Sequence, residues 1–365
     1  MSGPPRDDAP LVAVAMSGGV DSSVAAALLV EKGYRVFGVT MKLWCYAETA
    51  ASPKSCCSLS SIDDAKAAAA KIGIAHYVMD LEEAFESQVV KPFCTEYAGA
   101  RTPNPCVLCN SEIKFNLLMD RVVAMGADYF ATGHYARIRQ SPAGAFELVR
   151  AFDREKDQSY VLWGIERSRL PAILFPLGET SKDRVRERAS KQGIAPAERR
   201  ESQDVCFVEA GSCGDFVQRR LTEMGIRPTP GRVLDTSGRE LAAHDGVFRF
   251  TIGQRRGLGV SSPGRKYVVR LDGETNAVVL GGKEDLLRRV FVCGSVNWLG
   301  KPPAKALVQI RYTHTPAAAG VEEEGNGRLR VFFDERQYSI TPGQSSVFYE
   351  EDVVLGGGVI EKVLE

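Results

Sequence analysis

A glycine- and serine-rich segment near the start of the chain limits most strongly how the chain can fold. The apolar run LVAVAM occupies residues 11–16, SGGVDSS occupies residues 17–23, and a helical pattern then continues to Gly33. Glycines permit a tight turn close to a ligand, and the N–H groups at the start of a helix attract an anion. The sequence therefore predicts a strand–loop–helix unit that holds a phosphate, although an ordinary glycine-containing turn has the same local pattern. Because the chain contains no GxxxxGK[ST] motif, the loop is not of the Walker type, and no lysine is predicted to stand at it as a phosphate clamp.

The first part of the chain alternates between predicted strands and helices. Strands are predicted at residues 11–16, 35–41, 75–81 and 127–135, and a hairpin at residues 136–150. Helices are predicted after the N-cap Ser61, over residues 113–126 and 212–225, and from Thr180, where Asp183 would complete a capping box. This rhythm predicts an α/β fold, with a parallel sheet covered by helices on both faces. Ligands of such sheets bind beyond the carboxyl ends of the strands.

From Gly231 onward, short alternating segments between turns replace the helical patterns. This change predicts an all-β region, long enough for two small modules, with Gly281-Gly282 as the best internal boundary. We therefore predict a catalytic domain at residues 1–209, a small central module at residues 210–282, and a C-terminal β-barrel at residues 283–365.

Composition excludes several classes of protein. The 46 lysines and arginines balance the 46 aspartates and glutamates, so the chain is not an indiscriminately basic binder. Five basic runs nevertheless favour a polyanion surface, at residues 182–191, 198–200, 218–220, 253–257 and 263–266. No apolar run approaches the roughly 18 residues of a membrane helix. Nine cysteines without a secretory signal predict a reducing, cytoplasmic location.

Three cysteines stand in loop-like surroundings. Cys106 and Cys109 follow a Pro-Asn-Pro bend in TPNPCVLCN, and Cys206 lies in SQDVCFV. A CxxC pair alone is compatible with half of a metal site, with a redox pair, or with a loop that presents a nucleophile. We expect Asn110 to open the next helix, whose positive end would favour a thiolate at Cys109. The roles of Cys45, Cys56 and Cys57 stay open.

Eight segments, spread over nearly the whole chain, resemble the tRNA-specific 2-thiouridylase family of the ATP pyrophosphatase superfamily. They are SGGVDSS (17–23), MKLW (41–44), TPNPCVLCN (102–110), ATGHY (131–135), EKDQSY (155–160), SQDVCFV (202–208), FTIGQRRGLG (250–259) and RYTH (311–314). The resemblance implies that ATP adenylates the C2 oxygen of the wobble uridine of tRNA, that Asp21 helps to hold Mg²⁺, and that sulfur then replaces AMP. Pyrophosphate and AMP would be released.

The resemblance also implies roles for the cysteines. Cys206 would carry a persulfide delivered by a sulfur relay protein, and Cys109 would be the nucleophile. A transient Cys109–Cys206 disulfide would result, and a reductant would be needed before the next turnover. Some relatives carry aspartate at the position of Cys106, and a thiol cannot be assumed to do the same acid–base work. An iron–sulfur cluster on Cys106, Cys109 and Cys206 is the alternative.

Further site residues follow from the resemblance, position by position. ATP would be bound by the phosphate loop and by two nearby positions, namely Ala15, Met16, Ser17, Gly18, Gly19, Val20, Asp21, Ser22, Met41 and Gly133. The target base and the tRNA would contact Asn104, Pro105, Cys106, His134, Lys156, Asp157, Gln158, Arg311, Tyr312 and Gln344. The enzyme would act as a monomer, with the basic runs gripping the tRNA. The rival interpretations are a small-molecule adenylating synthetase and a non-catalytic tRNA-binding protein.

Overall fold

A computed structural model of the chain describes residues 8–43, 59–194, 205–208, 212–261 and 264–364. Its α-helices are α1 Val20–Glu31, α2 Leu59–Ile72, α3 Glu82–Phe85, α4 Lys91–Ala98, α5 Pro105–Leu108, α6 Met119–Ala124, α7 Lys182–Gln192 and α8 Cys213–Glu223. Two π-helical segments, Glu86–Val90 and Cys109–Leu118, connect α3 to α4 and α5 to α6. None of the helices in the described ranges is long and apolar enough to cross a membrane.

The strands of these ranges are numbered in chain order. They are β1 Leu11–Ala15, β2 Arg35–Lys42, β3 Ala75–Asp80, β4 Tyr129–Thr132, β5 Ala136–Gln140, β6 Phe146–Arg150, β7 Ile173–Leu174, β8 Gly231–Asp235, β9 Glu240–His244, β10 Tyr267–Asp272, β11 Ala277–Gly281, β12 Leu287–Trp298, β13 Lys305–Gln309, β14 Ala317–Gly325, β15 Arg328–Tyr338, β16 Ser345–Glu350 and β17 Val353–Val363.

Internal contacts divide the chain into two units. The first comprises the chain up to Val89, Cys106–Phe207 and Asp352–Val354. The second comprises Val90–Pro105, Val208–Glu351 and the chain from Leu355 onward. The predicted three-domain boundaries stay a prediction.

The first unit contains a five-stranded parallel sheet in the order β3-β2-β1-β4-β7. The apolar residues Val12, Ala13 and Val14 of the central strand β1 are fully buried, as expected of a parallel sheet covered on both faces. The strand order reverses beside β1, because β2 lies on one side of it and β4 on the other. Ligands of such folds bind at the point where the strand order reverses, which here is at the carboxyl ends of β1 and β4. The predicted α/β fold is confirmed.

Two local predictions in this unit are wrong. Helix α7 begins at Lys182 with Ser181 as its N-cap, and the Ser181 side chain makes no capping hydrogen bond. Thr180 and Asp183 therefore form no capping box. Ser61 lies inside α2, which begins two residues earlier at Leu59, so it is not the N-cap. The predicted hairpin is confirmed as β5 and β6, and within the unit Val149 of β6 pairs with Val353.

The second unit is mostly β-structure. One sheet has the order β10-β11-β8-β9, and another has the order β12-β15-β14-β13-β16-β17. Because β12 also pairs with β17, the six strands close into a barrel and leave no open edge between them. Fully buried aromatic side chains fill this region, among them Phe291, Phe333 and Phe348. The predicted central β module and C-terminal barrel are confirmed.

Candidate active site

The segment between β1 and α1 forms a tight loop at the carboxyl end of the central strand. Gly18 has a φ of 71°, and a Cβ there would lie 2.3 Å from the carbonyl oxygen of Ser61, so a larger residue does not fit. The Ser17 N–H donates to the Ser22 hydroxyl at 3.1 Å. The loop therefore folds back on the first turn of α1, whose N-terminal end favours an anion.

Two other predicted ATP-binding positions lie at strands next to β1. Gly133 directly follows β4, and a Cβ there would lie 2.8 Å from the backbone nitrogen of Ser22. A glycine thus lets the end of β4 approach the phosphate loop. Met41, near the carboxyl end of β2, is partly exposed. Since β1, β2 and β4 are parallel neighbours, these residues share one edge of the sheet, and their contact with ATP stays a prediction.

Asp21, in the first turn of α1, is held by two residues that the sequence analysis does not identify. Lys182 Nζ lies 2.7 Å from both carboxylate oxygens of Asp21. The Tyr135 hydroxyl donates to Asp21 Oδ1 at 2.9 Å, and Lys182 Nζ lies 5.6 Å from the centroid of the Tyr135 ring. Only 8% of the Lys182 side chain is exposed. A lysine this buried requires a counter-charge, which Asp21 supplies.

A lysine therefore stands at the phosphate loop, where it contacts Asp21; the prediction that no lysine clamps a phosphate stays a prediction. Lys182 begins the basic run at residues 182–191, a pattern typical of a solvated or RNA-binding face. No local spacing indicates its contact with Asp21, because 161 residues separate the two. Only the fold, which packs α7 beside α1, brings them together.

Cys109 lies one turn inside a continuous helical segment. Helix α5 begins at Pro105, which suits a first helical position because it needs no N–H donor there, and Cys109 opens the following π-helical segment. The prediction that Asn110 opens this helix is wrong, and so is the argument that a helix start favours the Cys109 thiolate. Cys106 is exposed, and Cys109 and Cys206 are partly buried. In the described part of the chain no disulfide joins Cys109 to Cys206.

Asn110 anchors the backbone next to Cys109. Its side chain is buried, its Nδ2 donates to the Val161 carbonyl at 3.0 Å, and its Oδ1 accepts from Lys114 Nζ at 2.9 Å. Gly164 packs nearby, since a Cβ there would lie 3.1 Å from Ser111 Cβ. π-helical turns occur frequently at functional sites. The segment that carries the predicted nucleophile is thus fixed by a buried amide.

His134 is a neutral histidine beside the phosphate loop. Its Nδ1 lies 2.7 Å from the Thr132 hydroxyl, and its ring packs against Phe115 and Phe175 with centroid distances of 5.9 Å and 6.0 Å. Burial and then the charge of Lys114 hold the pKa of His134 well below its usual 6.5. At neutral pH the residue therefore offers a hydrogen bond and a ring face to a ligand, and no charge.

Three of the residues predicted to contact tRNA, Lys156, Asp157 and Gln158, follow β6 in the first unit. The Asp157 carboxylate accepts from the Ala151 N–H at 3.0 Å and from the Ser159 hydroxyl at 2.8 Å. The Gln158 side-chain oxygen accepts from the Tyr135 N–H at 2.9 Å. Both side chains thus serve the loop's own structure, whereas Lys156 is partly exposed to solvent.

The second unit holds the remaining predicted tRNA contacts. Arg311 donates to the Ser339 carbonyl at 2.7 Å, and Gln344 Nε2 donates to the Thr102 carbonyl at 2.7 Å. These side chains therefore hold turns of this unit together. Tyr312, by contrast, is 47% exposed, which suits stacking on an unpaired base. Asn104 and Pro105 also belong to this unit, so its boundary with the first unit falls between Pro105 and Cys106.

Magnesium fits the donor chemistry of the loop. Mg²⁺ commonly binds one or two carboxylates together with substrate phosphates and water, and Asp21 provides such a carboxylate. The described ranges contain no group of three Cys, His, Asp or Glu side chains placed to hold a metal ion. Cys106, Cys109 and Cys206 are not grouped as ligands of one metal ion there, and the iron–sulfur cluster stays the alternative. Cys45, Cys56 and Cys57 lie outside the described residues.

A phosphate loop at the switch point of a parallel sheet, with β modules downstream, defines a nucleotide-binding enzyme of the HUP type. Family comparisons agree: "tRNA methyl transferase HUP domain" matches residues 11–210, "tRNA methyl transferase PRC-barrel domain" residues 214–282, and "Aminomethyltransferase beta-barrel domain" residues 288–360. The chain belongs to the tRNA-specific 2-thiouridylase MnmA family, within the ATP-using HUP/PP-loop superfamily.

Curated relatives match the chain over nearly its whole length. The tRNA-specific 2-thiouridylase MnmA of Solibacter usitatus is 46% identical over 366 residues, covering 96% of this chain and 99% of the relative. Those of Halothermothrix orenii and Moorella thermoacetica are 44% and 46% identical over 356 and 359 residues, and each comparison covers 96% of this chain and 99% of the relative.

Proposed function

We propose that this chain is a tRNA-uridine 2-sulfurtransferase that uses ATP to replace the C2 oxygen of a wobble uridine with sulfur. The observation that carries the proposal is the 46% identity to the Solibacter usitatus relative across 96% of this chain. The tight loop after β1, with Gly133 against it, supports an ATP site at the same end of the sheet.

The first half-reaction activates the uridine. The C2 oxygen attacks the α-phosphorus of ATP, the bond to the pyrophosphate breaks, and C2 becomes electrophilic with AMP as its leaving group. The N–H groups at the start of α1 would bind the pyrophosphate, because charge on the phosphates is stabilised by preorganised donors. Mg²⁺, when bound through Asp21, would supply additional positive charge. Lys182 would hold Asp21 in place and contribute its own charge close to the loop.

The second half-reaction transfers sulfur. The Cys109 thiolate attacks the inner sulfur of a Cys206 persulfide, so that a Cys109–Cys206 disulfide forms and hydrosulfide leaves. The hydrosulfide adds to C2 and AMP departs with the C2 oxygen. Alternatively, the terminal sulfur adds to C2 first, and Cys109 then releases it by forming the same disulfide. A dithiol reductant must return both cysteines to thiols, which suits a reducing cytoplasm.

The proposal includes the partners that this chemistry requires. A persulfide-carrying protein would load Cys206, and tRNA would lie against basic and aromatic residues such as Lys156 and Tyr312. The chain would act as a monomer. His134, held neutral by its surroundings, would meet the RNA through its ring.

The direct test is nucleoside analysis after a reaction with anaerobically purified, metal-analysed protein. A tRNA transcript, ATP, Mg²⁺ and sodium sulfide are supplied, and the digested tRNA is examined by mass spectrometry. We expect 2-thiouridine at the wobble position together with equal amounts of AMP and pyrophosphate, from protein without iron. Complete pyrophosphate release without RNA, unchanged by Cys109→Ser, would instead support a small-molecule synthetase. Activity that disappears when bound iron is removed would contradict the iron-free mechanism.

A further inference from the structure

The loop at residues 151–158 carries three of the predicted tRNA contacts. Its residues also make hydrogen bonds to Tyr135 and Lys182, the two residues that contact Asp21. We propose that Gln158 and Asp153 are positioning residues that make ATP binding depend on tRNA binding. The proposal rests on the function proposed above, because it takes this loop as part of the tRNA-binding surface. Both side chains bond to the backbone of a residue that contacts Asp21, Gln158 to the Tyr135 N–H and Asp153 to the Lys182 N–H.

The first connection runs from Gln158 through Tyr135. The Gln158 side-chain oxygen accepts from the Tyr135 N–H at 2.9 Å, and the Gln158 N–H donates to the Tyr135 carbonyl at 2.8 Å. These reciprocal bonds fix the backbone of Tyr135, which is only 3% exposed. The Tyr135 hydroxyl in turn donates to Asp21 Oδ1 at 2.9 Å. A displacement of Gln158 therefore changes the position of a donor to the phosphate loop.

The second connection runs from Asp153 through Lys182. The Asp153 carboxylate accepts from the Lys182 N–H at 2.9 Å and thereby fixes the start of α7. The ammonium group of Lys182 contacts both oxygens of Asp21 at 2.7 Å. The two connections leave the loop at different residues and converge on one carboxylate. Two separate series of hydrogen bonds from the same loop therefore fix the position of Asp21.

The loop also has an outer side that RNA can reach. Phe152 is 64% exposed and its backbone N–H donates to the Gly178 carbonyl at 2.8 Å, so an accessible ring stands on a fixed backbone. Lys156 is partly exposed in the same loop. An aromatic ring and a lysine suit contact with an unpaired base and a phosphate. RNA bound at Phe152 and Lys156 would restrain the loop from its solvent side. Asp153 and Gln158 would pass this restraint to Lys182 and Tyr135 through their hydrogen bonds.

Coupling of this kind is reciprocal and measurable. If tRNA bound at the loop stabilises the arrangement of Asp21 that accepts ATP, ATP must increase the affinity for tRNA by the same factor. Coupling free energies between two sites commonly correspond to roughly 5- to 150-fold changes in affinity. We therefore expect tRNA to lower the Kd for ATP by at least about 5-fold.

The experiment measures the Kd of α,β-methylene-ATP with Mg²⁺, in the absence and presence of saturating tRNA transcript. In the wild-type chain the ratio of the two Kd values should be at least about 5. In Gln158→Leu and in Asp153→Ala the ratio should fall towards 1. Gln158→Glu and Asp153→Asn keep an oxygen acceptor for the same backbone N–H, so both should retain most of the ratio. A role in folding alone would not distinguish these pairs in this way.

Two further variants complete the test. Gln140→Leu is the matched control, because Gln140 is exposed and its side chain donates to the Gly144 carbonyl of its own hairpin; its ratio should equal that of the wild type. If Gln158→Leu does not fold, Tyr135→Phe removes the hydroxyl that reaches Asp21 and should lower the ratio as well. A wild-type ratio of 1 in a chain that binds tRNA and forms 2-thiouridine overturns the coupling alone. Failure to bind tRNA at all overturns the proposed function too.

Discussion

At the scale of single residues, the contact between Asp21 and Lys182 is the most informative feature of the first unit. Lys182 is almost fully buried, whereas 32% of the Asp21 side chain is exposed at the loop. Removing one member of a buried pair leaves an uncompensated charge, which is far more costly than losing an exposed pair. The pair therefore keeps a carboxylate in place at the phosphate loop before ATP arrives.

The variant Lys182→Met tests the energetic role of this contact. We expect it to lower the free energy of unfolding by about 1–3 kcal/mol, less than for a fully buried pair because Asp21 is partly solvated. Urea-induced unfolding monitored by circular dichroism measures the change. Lys182→Met combined with Asp21→Asn should recover part of the loss, because no unpaired charge then remains.

Lys191→Met is the matched control in the same helix. Lys191 is 72% exposed and pairs with Glu187 one turn away, an exposed contact that contributes little to stability. Equal losses for Lys182→Met and Lys191→Met would mean that the contact with Asp21 has no special weight.

The residues of the phosphate loop could be predicted from sequence, whereas their partners could not. Gly18 and the serines around it follow one another along the chain, so a strand–loop–helix pattern identifies them directly. Lys182 and Tyr135 are 161 and 114 residues away from Asp21, and each has a plausible local interpretation of its own. A contact of this kind depends on which helices the sheet brings together, and periodicity carries no information about it.

At the scale of secondary-structure elements, the segment Cys109–Leu118 determines where the predicted nucleophile lies. A π-helix is wider than an α-helix and is seldom stable on its own. Here the buried Asn110, bonded to Val161 and Lys114, holds its first turn. Because reacting groups must be held within fractions of an ångström, an anchor next to Cys109 should affect the rate of sulfur transfer.

The variant Asn110→Ala tests this role. We expect kcat for thiolation to fall by about 10- to 100-fold, because misplacing a reacting group by about 1 Å can cost 100-fold, while KM for ATP changes little. Initial rates of 2-thiouridine formation measure both constants.

Asn116→Ala provides the comparison within the same π-helical segment. Asn116 lies two turns away from Cys109 in the same segment. It is partly exposed and accepts one hydrogen bond from Arg169. Its kcat should stay within about 3-fold of the wild type, since the first turn keeps its anchor. An Asn110→Ala variant as active as Asn116→Ala would show that the amide does not position Cys109.

Strands β1 to β4 were predictable from sequence, whereas β7 and the helical segment at Glu82–Ala98 were not. Strands such as β1 and β2 are short apolar runs bounded by glycine or polar residues, which is a strong local signal. The missed segment consists of α3, a π-helical stretch and α4, with Pro92 near the start of α4. A π-helical stretch shifts the apolar face, so the 3.6-residue period that identifies a helix does not persist through it.

At the scale of the whole molecule, all four histidines have a lowered pKa in the folded chain. The largest cause in each case is burial, for His76, His134, His244 and His314. The unfolded chain binds protons at these residues near pH 6.5, and the folded chain binds them only at lower pH. Above pH 6.5 the histidines are neutral in both states, so their contribution to the free energy of unfolding is fully present. Below pH 6.5 protonation favours the unfolded chain, and this contribution decreases as the pH falls.

We accordingly expect the free energy of unfolding to decrease between about pH 7.5 and 5.5, a window set by the ordinary pKa of histidine. Urea-induced unfolding at several pH values measures the slope. His134→Gln, which cannot be protonated in this range, should show a smaller decrease than the wild type. A free energy of unfolding that stays constant or rises over this interval would contradict the lowered pKa values.

The central claim is that Cys109 and Cys206 together deliver sulfur to an ATP-activated tRNA, and a single-turnover experiment tests it most directly. Protein loaded with a persulfide by a sulfurtransferase is mixed with ATP, Mg²⁺ and tRNA, quenched with N-ethylmaleimide, and analysed by non-reducing peptide mapping. Cys213→Ser serves as the control, because the Cys213 thiol lies in the second unit and is hydrogen-bonded to Tyr97.

We predict one Cys109–Cys206 disulfide for each 2-thiouridine formed, in the wild type and in Cys213→Ser. In Cys109→Ser the sulfur should stay bonded to Cys206, as the persulfide or as its adduct with C2, and no 2-thiouridine should appear. Formation of 2-thiouridine without that disulfide, or at an undiminished rate in Cys206→Ser, would contradict the proposed mechanism.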